Sequence, residues 1–362
     1  MTYTDNGDGT HTYACANDCD VADVVEDHVY VDGTCPCGAV EVTGPVEAAD
    51  LVFYGKTVIF EADYSIMYYV KQDVVDAYDK VYLEVTKTLY DSEGNATGTD
   101  VRIVEMGALN SNYASYGFKY AGITSVEIGS NIVATIYAEK DGVTYVGASS
   151  GDYSIKQYCY NRLSKSSNAE ELTFMVDFLN YGAAAQQHFN YNTGNLVTAD
   201  LTDTQKAYAS TLQTINSDAA TETLTGSTVA VAGFTLVFEG KIAIKYVFDP
   251  SNYLKSGSIE DLTVVVKDSG GTVLKTFTSE EFLNYNAAGT IKAIEFSELW
   301  STEMREAVTF QVYAGENAVS DARTYSIQTY AYNKQDEAVN GTLAVLVKAM
   351  IQYGDSIYAW KN

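Results

Sequence analysis

The sequence predicts a mainly β protein with α-helices. It reads as two repeated immunoglobulin-like β-sandwich units, each closed by a C-terminal helix, with one small cysteine-rich ribbon ahead of the pair. Three observations lead there. A tyrosine-rich segment recurs once in the chain, period-2 apolar runs fill the first part of each half, and Cys15, Cys19, Cys35 and Cys37 crowd into the N-terminus.

The recurrence is the strongest signal. Tyr153-Ser154-Ile155-Lys156-Gln157-Tyr158-Cys159-Tyr160-Asn161 matches Tyr325-Ser326-Ile327-Gln328-Thr329-Tyr330-Ala331-Tyr332-Asn333. The same offset, without a gap, carries Tyr181-Gly182 onto Tyr353-Gly354. Upstream, Phe60-Glu61 and Tyr68 pair with Phe238-Glu239 and Tyr246, and Tyr137-Ala138 with Tyr313-Ala314. Those offsets drift by a few residues, as loop insertions produce.

Residues 1–45 form the cysteine-rich segment, zinc-ribbon-like in its reading. A Cys-x3-Cys and a Cys-x-Cys stand near His11 and His28, and Asp32-Gly33-Thr34-Cys35-Pro36-Cys37-Gly38-Ala39 reads as a knuckle turn. Thiolates of Cys15, Cys19, Cys35 and Cys37 can hold Zn²⁺ tetrahedrally and close a segment that has almost no core of its own. The alternative is two disulfides, which suit a small module outside the cell. Either role is structural, because a catalytic zinc needs an open ligand position and a base in a cleft. The fifth cysteine, Cys159, replaces Ala331 of the repeat and reads as a small buried thiol.

Residues 46–192 form the first lobe. Val81, Leu83 and Val85 alternate with Tyr82, Glu84 and Thr86, and Ser92-Glu93-Gly94-Asn95 and Asp141-Gly142 supply hairpin turns. Leu172, Met175, Val176, Leu179 and Ala183 then fall on one helical face. Residues 193–227 form a helical connector, with a short helix from Thr202 to Tyr208 and Thr202 as its N-cap. Residues 228–362 form the second lobe. Leu262, Val264 and Val266 alternate with Thr263, Val265 and Lys267, and Asp268-Ser269-Gly270-Gly271 turns the chain. Leu343, Leu346, Val347, Met350 and Ile351 make the closing stripe. Neither helix is stable alone, so each packs on its own sheets or on the other lobe. The short connector predicts lobes in a defined relation, with a groove between them.

Composition narrows the partners. The formal net charge of −26 argues against nucleic acid and anionic membranes, because the long-range field repels both, and it is compatible with sugars. No apolar run reaches the length of a membrane span. Met1-Thr2-Tyr3-Thr4-Asp5 lacks the basic and apolar regions of a signal peptide. A cytoplasmic chain is one reading of that, but the low Lys+Arg count of 22 suits an exported protein, so the chain is read as an extracellular one, secreted or on the cell surface, trimmed to its mature or internal part. It is also read as a monomer. Catalysis finds little support. There are only 3 His, two of them in the cysteine segment and one, His188, at a helix end. No Gly-x-Ser-x-Gly, His-Glu-x-x-His or phosphate-binding glycine loop occurs. A carboxylate pair for glycoside hydrolysis would need a deeper cleft than two small sandwiches offer.

The ending Tyr-Ser-Ile-x-x-Tyr-x-Tyr-Asn, followed by a helix closing on Asn180-Tyr181-Gly182-Ala183-Ala184-Ala185-Gln186, is similar to a tail seen in large secreted proteins of gut clostridia. So is the preceding Cys–Cys–His–Cys–Cys order. Over roughly residues 50–362 the two-lobed arrangement resembles the starch-adherence proteins of the ruminococcal amylosome, specifically a domain with a bilobed starch-binding groove. The resemblance implies non-catalytic binding of starch-type α1,4-glucan and malto-oligosaccharides, with other surface or amylosome proteins as further partners. A protein-interaction or adhesion module and a passive spacer are the competing readings.

Sugar binding needs aromatic faces in loops, with polar groups beside them. Trp300 stands where the first copy, near Glu127-Ile128-Gly129-Ser130, has small residues, so it is a surface candidate with plain packing as the alternative. Tyr253, Tyr285, Tyr113 and Tyr116 lie in polar loops and join it as candidate contacts. Tyr158, Tyr160, Tyr330 and Tyr332 occur in both copies and read as core, and Trp360 as a packing cap on the last helix.

Overall fold

The computed structural model describes residues 1–16, 22–39, 44–60, 64–238 and 241–362, and it is mainly β. The N-terminal strands β1 (Thr2–Asp5), β2 (Thr10–Ala14) and β3 (Val24–Asp27) form one antiparallel sheet with β2 in the centre. The first half follows as β4 (Val46–Glu47), β5 (Gly55–Phe60), β6 (Tyr64–Lys71), α1 (Gln72–Val75), β7 (Lys80–Tyr90), β8 (Ala96–Glu105), β9 (Leu109–Asn110), β10 (Ser115–Ile123), β11 (Ile132–Lys140) and β12 (Val143–Ser149). It ends in α2 (Ile155–Lys165) and α3 (Ala169–His188). A connector carries α4 (Asp203–Lys206). The second half comprises β13 (Ala220–Glu222), β14 (Ala230–Val237), β15 (Ala243–Asp249), β16 (Leu262–Lys267), β17 (Val273–Thr278), β18 (Leu283–Asn284), β19 (Lys292–Phe296), β20 (Val308–Ala314), β21 (Asn317–Ala318) and β22 (Ala322–Tyr325). It closes with α5 (Ile327–Lys334), α6 (Glu337–Asn340) and α7 (Thr342–Lys361).

The two halves share an order of strands. One sheet of the first half runs β5-β6-β10-β9, and its counterpart runs β14-β15-β19-β18. The other runs β4-β12-β11-β7-β8 against β13-β22-β20-β16-β17, with β21 pairing β20. They differ at one edge, where β4 lies parallel to β12 but β13 antiparallel to β22. The period-2 runs do what alternation requires. Val81, Leu83 and Val85 of β7 lie opposite Ala138, Ile136 and Ala134 of β11, all buried. In β16, Val264 and Val266 face Val312 and Phe310 of β20, also buried. The turns at Ser92–Asn95, Asp141-Gly142 and Asp268–Gly271 join the strands they were expected to join. Asp141 and Gly142 both take positive φ, the conformation a tight hairpin of this hand needs.

The repeated tyrosine motif proves to be a capped helix start. Ser154 Oγ accepts from the Gln157 amide at 3.1 Å, and Ser326 Oγ from the Thr329 amide at 2.9 Å. Each serine thereby satisfies an amide that the first helical turn leaves without a partner. The connector helix is capped likewise, with Thr202 Oγ1 accepting from the Gln205 amide and Gln205 Oε1 from the Thr202 amide. Of the four motif tyrosines, Tyr330 is buried and Tyr158 and Tyr160 are half-buried, but Tyr332 is exposed. Tyr332 is thus not core. It lies toward the C-terminal end of the eight-residue α5, past the buried run Ile327–Ala331. Cys159 is fully buried, and burial pushes its thiol well above its ordinary value.

The halves meet through α3 and α7. Phe174 stacks on Trp360 at 4.9 Å, Tyr181 on Tyr353 at 5.5 Å and 4° between planes, and His188 Nδ1 meets Thr342 Oγ1 at 3.0 Å. Early residues of one helix thus face late residues of the other, so the pair is antiparallel. Tyr64 and Phe178 of the first half also pack on Tyr353. The glycine after each stacked tyrosine admits a loop. A Cβ on Gly182 would lie 2.8 Å from Ile128 Cδ1, and one on Gly354 would lie 3.2 Å from the Ser301 carbonyl. Aromatic rings fill the surfaces where α3 and α7 face each other. Where Trp300 and Leu299 approach Tyr64 of the first half, a space of only about 10 Å³ remains. Among the described residues no helix is long and apolar enough to cross a membrane.

One charged group sits inside this junction. Asp177 of α3 is 1% exposed, its Oδ1 accepts from the Ser210 amide at 3.1 Å and from Gln352 Nε2 at 3.4 Å, and its Oδ2 is buried without a partner. Burial pushes its carboxyl up to about 6. A raised carboxyl means that the folded state binds the proton more tightly than the unfolded chain. The cost of the buried charge is therefore absent below about pH 4, grows between about 4 and 6, and is complete above about 6. Asp177→Asn should stabilise the protein by roughly 1–3 kcal/mol at about pH 8 and by little at about pH 4, as read by denaturant unfolding. Equal effects at both values would show that the carboxylate is not penalised. Tyr353→Ala should cost about 3–5 kcal/mol and lower the unfolding of both halves together, because the ring it deletes belongs to both. Calorimetry showing one half unaffected would count against a shared core.

Candidate metal centre and aromatic cleft

The N-terminal sheet has almost nothing apolar to bury. Among the described residues of 1–45, only His11 and Cys35 are buried. His11 lies on the central strand β2, opposite Asp5 of β1 and Glu26 of β3. His28 follows β3 directly, its amide donating to the Gly9 carbonyl at 3.0 Å. A bridge between Val31 and Thr34 then closes a two-residue turn on Asp32 and Gly33, both at positive φ. The Cys35 carbonyl accepts from the Gly38 amide at 2.8 Å, and the Cys35 amide donates to the Ala39 carbonyl at 2.8 Å. Gly38 has φ +93°, so the knuckle needs glycine there.

These local turns bring ligand atoms of His11, His28, Cys35 and Cys37 within 4.8 Å of one another, a group that could hold a metal ion. Cys35 Sγ lies 3.5 Å from His11 Nδ1, and the His11 and His28 rings stack at 5.6 Å. Burial opposes the Cys35 thiolate, yet donation from the Cys37 amide and thiol leaves its thiol below the ordinary value, while that of Cys37 lies above it. The set differs from the four cysteines expected. Cys35 and Cys37 are free thiols, Cys15 is disulfide-bonded, and Cys19 lies outside the described residues. A disulfide sulfur is no thiolate, so Cys15 cannot ligate while it is paired. Equally, two free thiols do not fit two disulfides. The histidines were legible as neighbours of the cysteines. Their role was hidden because only the pairing of β2 with β3 sets His11 beside the knuckle.

The five aromatic candidates do not converge. Tyr113 is 62% exposed and Tyr285 53% exposed. They occupy equivalent loops, after β9 and after β18. Lys71 Nζ donates to the Tyr113 carbonyl at 3.1 Å and lies 3.6 Å from the ring centre of exposed Tyr54. Tyr116 is half-buried on β10, opposite Val70, with its hydroxyl 3.4 Å from Asp76. Tyr253 packs against the core, and a Cβ on Gly257 would lie 2.5 Å from its ring. It is therefore a packing residue. Because Lys292 pairs with Phe248 and Ser115 with Lys71, these four tyrosines lie at the strand ends opposite those that meet α3 and α7, one pair on each half, with α1 beside Tyr113 and Tyr116.

Trp300 lies past the other end of β19, near α7. It precedes a single helical turn, Ser301–Glu303, and its amide donates to Glu303 Oε2 at 2.8 Å. In the first half Thr124 precedes Ser125–Glu127 and donates to Glu127 Oε2 at 3.0 Å. The counterpart of Trp300 is therefore Thr124, a few residues before the segment that sequence matching suggested. Trp300 is 46% exposed and lines an open cleft of about 660 Å³ with Tyr358, Asn362, Asp268, Glu298 and Glu306. Lys361 Nζ stands 5.8 Å from its ring centre and donates to the Phe60 carbonyl at 3.0 Å, bracing this end of α7 on the first half. Tyr358, 56% exposed, is a lining residue of this cleft that the sequence reading did not single out. The available signal was its position off the buried Leu346–Met350–Tyr353–Ile357 stripe of α7. Trp360, by contrast, caps the junction on Phe174 as expected.

No protein-family model matches the chain, and no curated protein matches it.

Proposed function

We propose that the protein is a non-catalytic carbohydrate-binding protein of the cell exterior, and that a starch-type α1,4-glucan chain binds in the Trp300 cleft. The observation that carries this reading is a half-exposed tryptophan at a position where the other half has threonine, sharing its cleft with a second exposed aromatic. Aromatic faces suit the C–H surfaces of pyranose rings, and the surrounding carboxylates and Asn362 suit sugar hydroxyls. The choice of α-glucan rests on the resemblance of the repeat to starch-adherence proteins, as do the surface location and any further amylosome partners. Each half is read as an immunoglobulin-like sandwich closed by helices, and the chain as a monomer. In this reading the glucan lies on the flank of the second half instead of between the lobes. The N-terminal metal is read as a structural zinc, since imidazole and thiolate together suit that borderline-soft ion.

The purified protein should be retained on insoluble starch and not on cellulose, and retention should survive high salt, because stacking and neutral hydrogen bonds are little screened. Trp300→Ala should weaken binding to malto-oligosaccharides by about 2 kcal/mol, roughly 30-fold, with the melting temperature nearly unchanged. Tyr358→Ala should act in the same direction, while Tyr285→Ala should not. Loss of binding in Tyr285→Ala with full binding in Trp300→Ala would move the site to the remote loops. Retention on neither polymer would overturn the carbohydrate reading.

A further inference from the structure

Resting on the zinc reading, we propose that the ion is held in a closed Cys₂His₂ site by His11, His28, Cys35 and Cys37, and that this coordination takes the place of a hydrophobic core in the N-terminal ribbon.

Three observations carry the ligand set. The first is the accounting of burial. As whole residues, only His11 and Cys35 are buried among the described residues of 1–45; the His28 side chain is also enclosed, all three belong to the set, and Val25, Val29 and Val31 are exposed. A segment that encloses donor side chains and leaves these three valines outside is not organised by the hydrophobic effect. The second is distance. Zinc bonds of about 2.3 Å to sulfur and about 2.0 Å to nitrogen, at the tetrahedral angle, set the two atoms about 3.5 Å apart. Cys35 Sγ and His11 Nδ1 lie 3.5 Å apart. The third is an orphaned nitrogen. The His28 side chain is 6% exposed, its Nδ1 lies 2.9 Å from the Tyr30 hydroxyl, and its Nε2 is buried without a hydrogen-bond partner. The charged neighbour of Nε2 is Asp5 Oδ1 at 3.4 Å. A buried nitrogen left without a bond is costly, and a metal bond would satisfy it. Tyr30 then plays the part of an outer partner that fixes the ring and leaves Nε2 to the ion.

The charge balance fits a buried site. Two thiolates neutralise Zn²⁺, two neutral imidazoles complete the tetrahedron, and the thiol protons leave to solvent on binding. Four protein ligands leave no open position, so the site is structural.

The test uses the full chain, purified with and without thiol reductant. The expected result is one zinc per chain, lost in His11→Ala, His28→Ala, Cys35→Ser and Cys37→Ser but kept in Cys15→Ser. Cobalt substituted for zinc should give a tetrahedral spectrum with the charge-transfer intensity of two thiolates. Tyr30→Phe should lower zinc affinity about 10-fold while keeping the stoichiometry. Chelation should open the first 39 residues to protease while the melting of the two halves stays the same. Zinc kept by both histidine variants and lost from Cys15→Ser would overturn this ligand set and leave the zinc reading standing. No zinc in the reduced wild-type chain would overturn both. A ribbon that stays protease-resistant after chelation would overturn the folding role.

Discussion

The antiparallel packing of α3 on α7 is the constraint on which the rest of the molecule depends. Each helix carries a stripe too apolar to face water, and neither could hold its shape alone. Their meeting is centred on the parallel rings of Tyr181 and Tyr353, with Phe174, Phe178 and Tyr64 around them. Such ring pairs add roughly 0.5–1.5 kcal/mol each beyond the area they bury. The contact makes one core from two halves, because Tyr353 belongs to the second half and is enclosed by rings of the first.

That closure also shapes the surface, since the junction itself is filled with aromatic side chains. An open aromatic cleft lies on the flank, where the turn at Ser301–Glu303 presses on Gly354 and Trp300 is half-exposed. The first half makes the same turn with Thr124 and presses Ile128 on Gly182. One scaffold repeated twice thus supports a smooth position in one copy and an aromatic ledge in the other. The halves share a strand order and differ at this turn, with Thr124 in one and Trp300 in the other.

The N-terminal ribbon follows a different physical rule. Its described residues bury no aliphatic row, and hydrogen-bonded turns bring four donor side chains together. The halves bury aromatic and aliphatic rows, whereas the ribbon buries His11 and Cys35. Charge is handled just as locally. Lys87, buried in the first half, lies 2.6 Å from Glu127, and Arg305 makes a paired contact with Asp355 at 2.5 and 2.7 Å. Asp177 is a buried acid without a cationic partner at the junction, which is why its carboxyl titrates high.

The repeat, the period-2 strands with their hairpin turns, the capped connector helix and the apolar stripes of α3 and α7 were legible in the sequence. Each depends on neighbours within a few residues, or on a pattern that recurs along the chain. Ser154 and Ser326 cap their helices through the third residue on, and Asp141-Gly142 turns its hairpin by its own dihedral preferences. What lay beyond reach depends on elements far apart in the chain. Only strand pairing shows that His11 and His28, and not Cys15, stand with Cys35 and Cys37. Only the packing of α7 beside the turn after β19 puts Tyr358 in the cleft of Trp300, and only the meeting of α3 and α7 makes one aromatic cluster of Tyr64, Phe178, Tyr181 and Tyr353. Sequence periodicity states which face of an element must be covered. It does not state what covers it, because burial is non-directional and many partners satisfy it equally until the whole chain has packed.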